Sequence, residues 1–159
     1  FRYFETEVFG RSVTDDDIER LSAEYTRLVH DKVLACPLVP GARELLDQVR
    51  GRAAMHVVSG TPHEELEDIV RRRGLAQYFA TVHGAPTTKL AAFRGILANG
   101  GYRPQHFFFN DAATTEMHAA AVLGVPFLGV CPRGESPPFP PSTPVVPTLV
   151  GVAAALGFK

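Results

Sequence analysis

The chain has 159 residues, of which 45% are hydrophobic and 21% are charged, and its formal net charge is −1. This size and composition are typical of a globular protein with one hydrophobic core and room for a small accessory unit. The near-neutral charge argues against a nucleic-acid partner, and no apolar run is long enough to indicate a membrane-spanning helix. Cys36 and Cys131 match no metal-ligand spacing, which favours a reduced, cytoplasmic setting over a disulfide framework.

Residues 1–36 are predicted to be helical. An apolar repeat at helical spacing ends at Gly10, a plausible helix C-terminus. The acids of Thr14-Asp15-Asp16-Asp17 have the composition of a metal site, but we favour a helix start. Thr14 would be the N-cap and Asp17 would complete a capping box, with acids in the first turn favoured by the helix dipole.

Prolines 37 and 40 mark a domain junction near residue 37, and the remaining residues 37–159 alternate between apolar runs and helical patterns. Uninterrupted apolar runs are typical of strands buried on both faces, so an α/β domain with a mainly parallel sheet is predicted. The predicted strands lie near 53–58, 79–83, 106–110 and 126–130, with a short edge strand at Thr143–Val146. Helices are predicted at 41–50, from residue 62 to Gly74, at 89–97, from Thr114 or Thr115 to Leu123, and at 148–156.

Ser59 stands at the carboxyl end of the first predicted strand. In the following turn, Thr61 is expected to be an N-cap, Pro62 to occupy the first helical position and Glu64 to complete a capping box. A hydroxyl group beside the free N–H groups of a helix N-terminus is well placed to bind an anion such as phosphate.

Lys89 and Asp111 occupy two further strand or loop ends. Lys89 is predicted in a first helical turn, where the dipole disfavours a cation, so either it binds an anion or it is a tolerated surface lysine. Asp111 ends strand 106–110, and open α/β sheets bind ligands beyond the carboxyl ends of their strands. Asp111 could instead cap the next helix. We expect Ser59, Lys89 and Asp111 to converge on one cleft, with tips within about 12 Å.

Three segments together resemble motifs of the haloacid-dehalogenase (HAD) superfamily of phosphohydrolases. VVSGTP (57–62) is similar to its second motif, GAPTTK (84–89) to its third and FFFNDAATTE (107–116) to its fourth. The resemblance covers about residues 37–159 and implies a three-layer, Rossmann-like core. Residues 1–36 resemble the last part of that family's helical cap.

The resemblance implies an Mg²⁺-dependent phosphatase acting on a small phosphate monoester through an aspartyl-phosphate. Ser59 and Gly60 would bind a phosphoryl oxygen, and Lys89 would neutralise the nucleophile and the phosphate. Asp111 would bind Mg²⁺, with Glu116 as a second candidate ligand. His63 and Arg133 are candidates at the mouth of the site by position alone, and a residue of either type is more often a surface residue.

Two departures from the family pattern affect these expectations. The first motif, an apolar strand followed by Asp-x-Asp, is absent, so no nucleophile is assigned and an upstream segment of the same polypeptide is expected to supply it. We therefore expect residues 1–159 alone to fold poorly and to be inactive. The fourth motif has Asn110-Asp111 and Thr115 where the family has Gly-Asp and a second Asp.

Two other classes of protein remain open from the sequence. The missing first motif is compatible with a non-catalytic HAD-like interaction protein. A phosphorylation-dependent, receiver-like switch domain also carries acids, a hydroxyl group and a lysine at strand ends. In receiver domains, however, the acids come first and the lysine last, which is the reverse of the order here.

Overall fold

The computed structural model describes residues 1–106, 109–111 and 114–158, without the side chains of residues 109–111 and 114–116. Contacts between residues divide the chain into two units, Phe1–Pro37 and Leu38–Lys159. The division falls at the prolines that suggested a junction. The assignment of the first unit to a cap stays a prediction.

The first unit consists of one π-helical turn, Phe4–Val8, and a 21-residue helix, α1, Asp15–Ala35. The predicted capping box is confirmed. The Asp17 N–H donates to Thr14 Oγ1 at 3.2 Å, and Asp17 Oδ2 accepts from the Thr14 N–H at 3.1 Å. The acids of this segment therefore stabilise a helix start. Over the described ranges, no helix has the length and apolar content needed to cross a bilayer.

The second unit alternates strands and helices, and every described strand pairing is parallel. Two strands form one sheet and three form another, in the orders β1-β2 and β3-β4-β5. This confirms the predicted α/β class with parallel strands. The strands are β1 His56–Pro62, β2 Thr81–Ala85, β3 Phe109–Asp111, β4 Phe127–Val130 and β5 Val145–Val146. The helices are α2 Ala42–Val49, α3 His63–Arg72, α4 Lys89–Gly100, α5 Thr114–Leu123 and α6 Val152–Ala155.

The strands begin later than the apolar runs predicted. The Ala53 N–H donates to the Val49 carbonyl at 3.1 Å, so the residues before β1 complete the turn that ends α2. The Phe79 N–H is likewise used by a short 3₁₀ turn before β2. The apolar pattern therefore predicts strands that start too early, because it includes residues whose N–H groups belong to local turns. For β3, residues 107–108 of the predicted strand lie outside the described residues.

The last two elements are shorter than predicted. The Thr143 N–H donates to the Pro140 carbonyl at 2.9 Å, which makes a turn of the expected start of β5. The Leu149 N–H donates to the Pro40 carbonyl, also at 2.9 Å, so this residue joins a distant loop instead of the final helix. The first described residue of α5 is Thr114, so Thr114 and Thr115 both lie inside the helix.

Three layers follow from the alternation of side chains along the strands. In β1, Val58 packs against a core cluster from α4 and α5, whereas Val57 packs against a cluster that includes residues of α3. In β4, Phe127 packs against the first of these clusters and Leu128 against a third one near α6. Because neighbouring strand residues point to opposite faces, both sheets are covered by helices on each side.

The two sheets lie side by side between shared helical layers. The α4–α5 cluster contacts both Val58 of β1 and Phe127 of β4. On the opposite face, α2 packs Leu46 against the cluster around β1 and Leu45 against the cluster around β4. Among the strands of the described residues, β1 and β3 are nevertheless not paired with each other.

Gly41, which precedes α2, gives a test of this packing. Its φ is +83°, and a Cβ atom there would collide with the backbone of Val150. We expect Gly41→Ala to destabilise the protein by about 2–4 kcal/mol, because backbone strain and overpacking each cost roughly 1–3 kcal/mol. Urea unfolding of the polypeptide that includes the expected upstream segment measures this loss.

Gly51→Ala is the matched control, because Gly51 also has a positive φ, +75°, but a Cβ atom there meets nothing within 4 Å. It should show the strain alone. Equal losses in the two variants would contradict the predicted contact between the α2 start and Val150.

Candidate active site

The carboxyl end of β1 bulges away from β2. Val58 pairs with His83 and the next pair is Pro62 with Ala85. Three residues of β1, Ser59–Thr61, therefore lie opposite the single residue Gly84. Regular pairing stops just before Ser59, so this residue stands at the carboxyl edge of the sheet, as the sequence predicted.

The predicted capping box of Thr61 and Glu64 is wrong. Pairing with Ala85 keeps the backbone extended as far as Pro62, which is the N-cap of α3 and makes no side-chain capping hydrogen bond. The Thr61 hydroxyl oxygen instead lies 3.0 Å from Ser59 Oγ. Long-range strand pairing thus overrides the local signal for a helix start.

Ser59 is half-buried and held by its neighbours in the bulge. The Thr61 N–H donates to Ser59 Oγ at 3.2 Å, in addition to the contact between the two hydroxyl groups. Gly60 is exposed, with open space on the side where a Cβ atom would project. The bulge therefore presents two adjacent hydroxyl groups and an accessible backbone, of which the sequence indicated Ser59 and Gly60 but not Thr61.

Lys89 is the first residue of α4, four residues after the end of β2. The Thr88 hydroxyl caps the helix by accepting from the Ala91 N–H at 3.3 Å. The predicted placement of Lys89 in a first helical turn is confirmed, and its side chain is half-buried. Because β1 and β2 are parallel, Ser59 and Lys89 stand at the same edge of their sheet.

Asp111 is the last residue of β3, where it pairs with Gly129, and Glu116 lies in the first turn of α5. The path of α4 indicates which edge Asp111 occupies. Tyr102, just after α4, contacts the His56 ring at the amino end of β1, with ring centroids 6.0 Å apart. Since α4 returns the chain to the amino edge, we infer that β3 runs from there and that Asp111 ends it at the carboxyl edge. Convergence of the three side-chain tips stays a prediction.

The donor chemistry at this edge suits Mg²⁺. Asp111 and Glu116 supply carboxylate oxygens, the hard ligands that Mg²⁺ prefers, and this ion commonly keeps several waters beside one or two carboxylates. Among the residues whose side chains are described, no three His, Cys, Asp or Glu groups gather into a metal site. The assignment of Asp111 and Glu116 as metal ligands stays a prediction.

Two histidines share one hydroxyl group at the opposite end of the first sheet. His56 Nδ1 and His83 Nε2 each lie 2.8 Å from Thr81 Oγ1. Burial of His56, and then the proximity of His83, lowers the pKa of His56 below its usual 6.5. This effect opposes protonation of His56 in the folded protein.

Comparisons with known proteins show the fold. No family model matches the chain, and no curated protein matches it in sequence. A solved structure described as a predicted phosphoglycolate phosphatase from Haemophilus somnus has a TM-score of 0.77 and 16% identity, over 95% of this chain and 72% of that chain. A HAD-superfamily hydrolase from Geobacter sulfurreducens has a TM-score of 0.66 and 18% identity, over 97% and 89%. A HAD phosphatase from Thermococcus onnurineus has a TM-score of 0.69 and 15% identity, over 100% and 71%.

At these identities the likeness concerns the fold alone. The chain has the Rossmann-type α/β fold of HAD-superfamily hydrolases and phosphatases. The predicted fold class is confirmed. The fold match also extends over nearly all of this chain, so it includes much of the first unit as well as the second.

The lowered pKa of His56 predicts how stability depends on pH. The unfolded chain binds a proton near pH 6.5, whereas the folded protein binds it only at lower pH, so stability is lost as the pH falls below about 6.5. In the polypeptide that includes the expected upstream segment, we expect the urea midpoint to fall between about pH 7.5 and about pH 5.5, and this fall to be smaller in His56→Gln. His118→Gln, which changes an exposed histidine of α5, is the control and should keep the full fall. If the urea midpoint of His56→Gln falls as much as that of the wild type, His56 is not the source of the pH dependence.

Proposed function

We propose that this chain is the larger part of an Mg²⁺-dependent phosphohydrolase acting on a small phosphate monoester. The observation that carries the proposal is the pair of groups at the carboxyl edge of β1 and β2. The hydroxyl groups of Ser59 and Thr61 lie in the β1 bulge, and Lys89 starts the helix that follows β2. Because β1 and β2 are adjacent and parallel, these groups stand at the same edge of the sheet. The fold likeness to HAD hydrolases and phosphatases supports the same reaction class.

The residues of this edge suit the binding of a phosphoryl group. Ser59 donates its hydroxyl hydrogen to a phosphoryl oxygen, and the exposed Gly60 allows the phosphate to approach the backbone. The Lys89 ammonium neutralises negative charge on the phosphate and on the attacking carboxylate. Phosphoryl transfer needs chiefly such positioning and electrostatic stabilisation, so these groups match the requirements of the reaction.

Asp111 and Glu116 are the proposed metal ligands. When bound, Mg²⁺ would screen the repulsion between the phosphate and the attacking carboxylate. Thr115 stands where the family pattern has a second aspartate. Glu116, with its longer side chain, takes over that role in the proposal, because it lies one residue further along the first turn of α5.

The proposed nucleophile comes from a segment outside residues 1–159. Asp15, Asp16 and Asp17 form the first turn of α1 and do not follow a strand, so they lack the position that the family's first motif requires. In the proposal, an upstream strand pairs between β1 and β3 and carries Asp-x-Asp. Its first aspartate attacks phosphorus and forms an aspartyl-phosphate, while the second protonates the departing alcohol. Water then hydrolyses the aspartyl-phosphate.

A non-catalytic HAD-like interaction protein is the second candidate. The observation that favours it is the irregular fourth motif, since loss of the second metal aspartate would weaken ion binding. The order of Ser59, Lys89 and Asp111 argues against the receiver-like switch. A cytoplasmic location stays a prediction from the spacing of Cys36 and Cys131.

The role of Asp111 can be tested in the polypeptide that includes the upstream strand. Asp111→Asn should raise the Mg²⁺ concentration needed for half-maximal phosphatase activity at least roughly tenfold, because a hard anionic ligand is lost. Titration of Mg²⁺ against turnover of p-nitrophenyl phosphate measures the effect.

Asp68→Asn is the control, since Asp68 pairs with Arg71 and Arg72 on α3 and has no proposed contact with the ion. It should leave the Mg²⁺ requirement unchanged. Metal-independent turnover, or the same Mg²⁺ requirement in Asp111→Asn as in the wild type, would refute the assignment.

The upstream strand predicts a second result. Residues 1–159 alone should unfold without a sharp transition and show no phosphatase activity, because β1 and β3 are not paired with each other among the described residues and the proposed strand between them is missing. Restoring a segment with an apolar strand and Asp-x-Asp should restore both cooperative unfolding and activity. Circular dichroism in urea and an Mg²⁺-dependent phosphatase assay provide the two readouts.

The matched control is the same segment with its first aspartate changed to asparagine, which should restore folding without activity. A restored fold that stays inactive with the intact segment would favour the non-catalytic candidate. A cooperative, active monomer of residues 1–159 alone would show that the strand is not required.

A further inference from the structure

His63 joins the two loops that carry Ser59 and Lys89. It is the first residue of α3, directly after the β1 bulge, and its Nδ1 accepts from the Gly84 N–H of β2 at 3.4 Å. Its Nε2 lies 3.5 Å from Glu67 Oε1, one helical turn further on. Because Nδ1 is an acceptor, the neutral ring carries its hydrogen on Nε2, towards the Glu67 carboxylate.

Gly84 brings the two backbones into direct contact at this point. It is buried and lies opposite the bulge. A Cβ atom at residue 84 would lie 2.5 Å from His63 Cα and 2.6 Å from the Thr61 carbonyl oxygen. These backbone atoms leave no room for a side chain at residue 84. The hydrogen bond and the close approach therefore fix the same distance between Gly84 and the start of α3.

This contact lies between the proposed phosphate-binding groups along the chain. Ser59 precedes His63 by four residues in the bulge, and Lys89 follows Gly84 by five residues at the start of α4. A change in the separation of His63 and Gly84 would therefore change the separation of the Ser59 hydroxyl and the Lys89 ammonium. Catalytic geometry is sensitive to displacements of this kind, of about 1 Å.

We propose that His63 is a positioning residue, which holds the Ser59 bulge and the Lys89 turn at the spacing that a phosphoryl group requires. The inference rests on the proposed phosphohydrolase function. It assigns His63 no contact with substrate. Its ring acts through the Gly84 N–H, and Glu67 orients the ring.

Two variants of His63 separate this role from a surface role. His63→Asn places an amide oxygen where Nδ1 lies and can still accept from Gly84, whereas His63→Leu has a similar branch but no acceptor. In the active polypeptide, we expect His63→Leu to lower kcat/KM for p-nitrophenyl phosphate roughly three- to tenfold, the range for one hydrogen bond. His63→Asn should stay within about twofold of the wild type, because it keeps the acceptor. Equal losses in both variants would overturn the proposal.

Hydrogen exchange of the Gly84 amide supplies a readout that needs no turnover. The amide should exchange faster in His63→Leu and at nearly the wild-type rate in His63→Asn. Unchanged exchange in His63→Leu would overturn the proposed contact even if activity fell. If the wild-type polypeptide shows no phosphatase activity, the proposed function fails, and the exchange rates still decide whether His63 ties the two loops together.

Discussion

The second unit depends on one constraint: the backbone N–H and C=O groups along the facing edges of β1 and β3 need hydrogen-bond partners. Both sheets lie between helical layers, and these two strands do not pair with each other in the part of the chain that the structure describes. A buried N–H or C=O group without a partner costs roughly 1–3 kcal/mol. The summed cost of several such groups would exceed the free energy of unfolding of a typical domain, which is about 5–15 kcal/mol.

The helical layers limit how the constraint can be satisfied. The α4–α5 cluster spans both sheets on one face, and α2 spans them on the other through Leu45 and Leu46. These contacts hold β1 and β4 in one layer, together with β3, which pairs with β4. Moving the two sheets apart into water would expose the same apolar side chains. A further strand between them would satisfy both edges without disturbing the layers. Its carboxyl end would then lie between Ser59 and Asp111, where the proposed reaction needs a nucleophile.

Much of this architecture could be predicted from residue patterns. Apolar runs located the four principal strands, and Thr14 with Asp17 located the start of α1, because these signals are local. Strand starts and the capping of α3 could not be predicted in the same way. Thr61 has the local sequence of an N-cap, but pairing of the neighbouring Pro62 with Ala85 extends β1 through it. The length of α6 likewise depends on a hydrogen bond from Leu149 to the distant Pro40.

The difference between local signals and long-range pairing also applies to the candidate site. Ser59 and Lys89 could be predicted because strand ends and helix starts are visible in the sequence. The hydroxyl contact of Thr61 and the hydrogen bond between His63 and Gly84 could not, because both depend on the bulge in β1. That bulge exists only when β1 and β2 pair. Residues at strand ends and helix starts can thus be predicted from local signals, whereas the contacts between these residues require the pairing of β1 with β2.

In the proposed function, anion binding by Lys89 and the stability of α4 compete at this edge. The first turns of α1, α2 and α3 contain acids, as the helix dipole favours, whereas the first turn of α4 contains none and starts with a lysine. A cation in this position costs roughly 0.3–1 kcal/mol at a solvated helix start. A bound phosphate would reverse the sign of this effect, because its negative charge is attracted both by Lys89 and by the positive ends of α3 and α4. In the proposed function, the unfavourable charge at the start of α4 would therefore become additional binding energy for the phosphate.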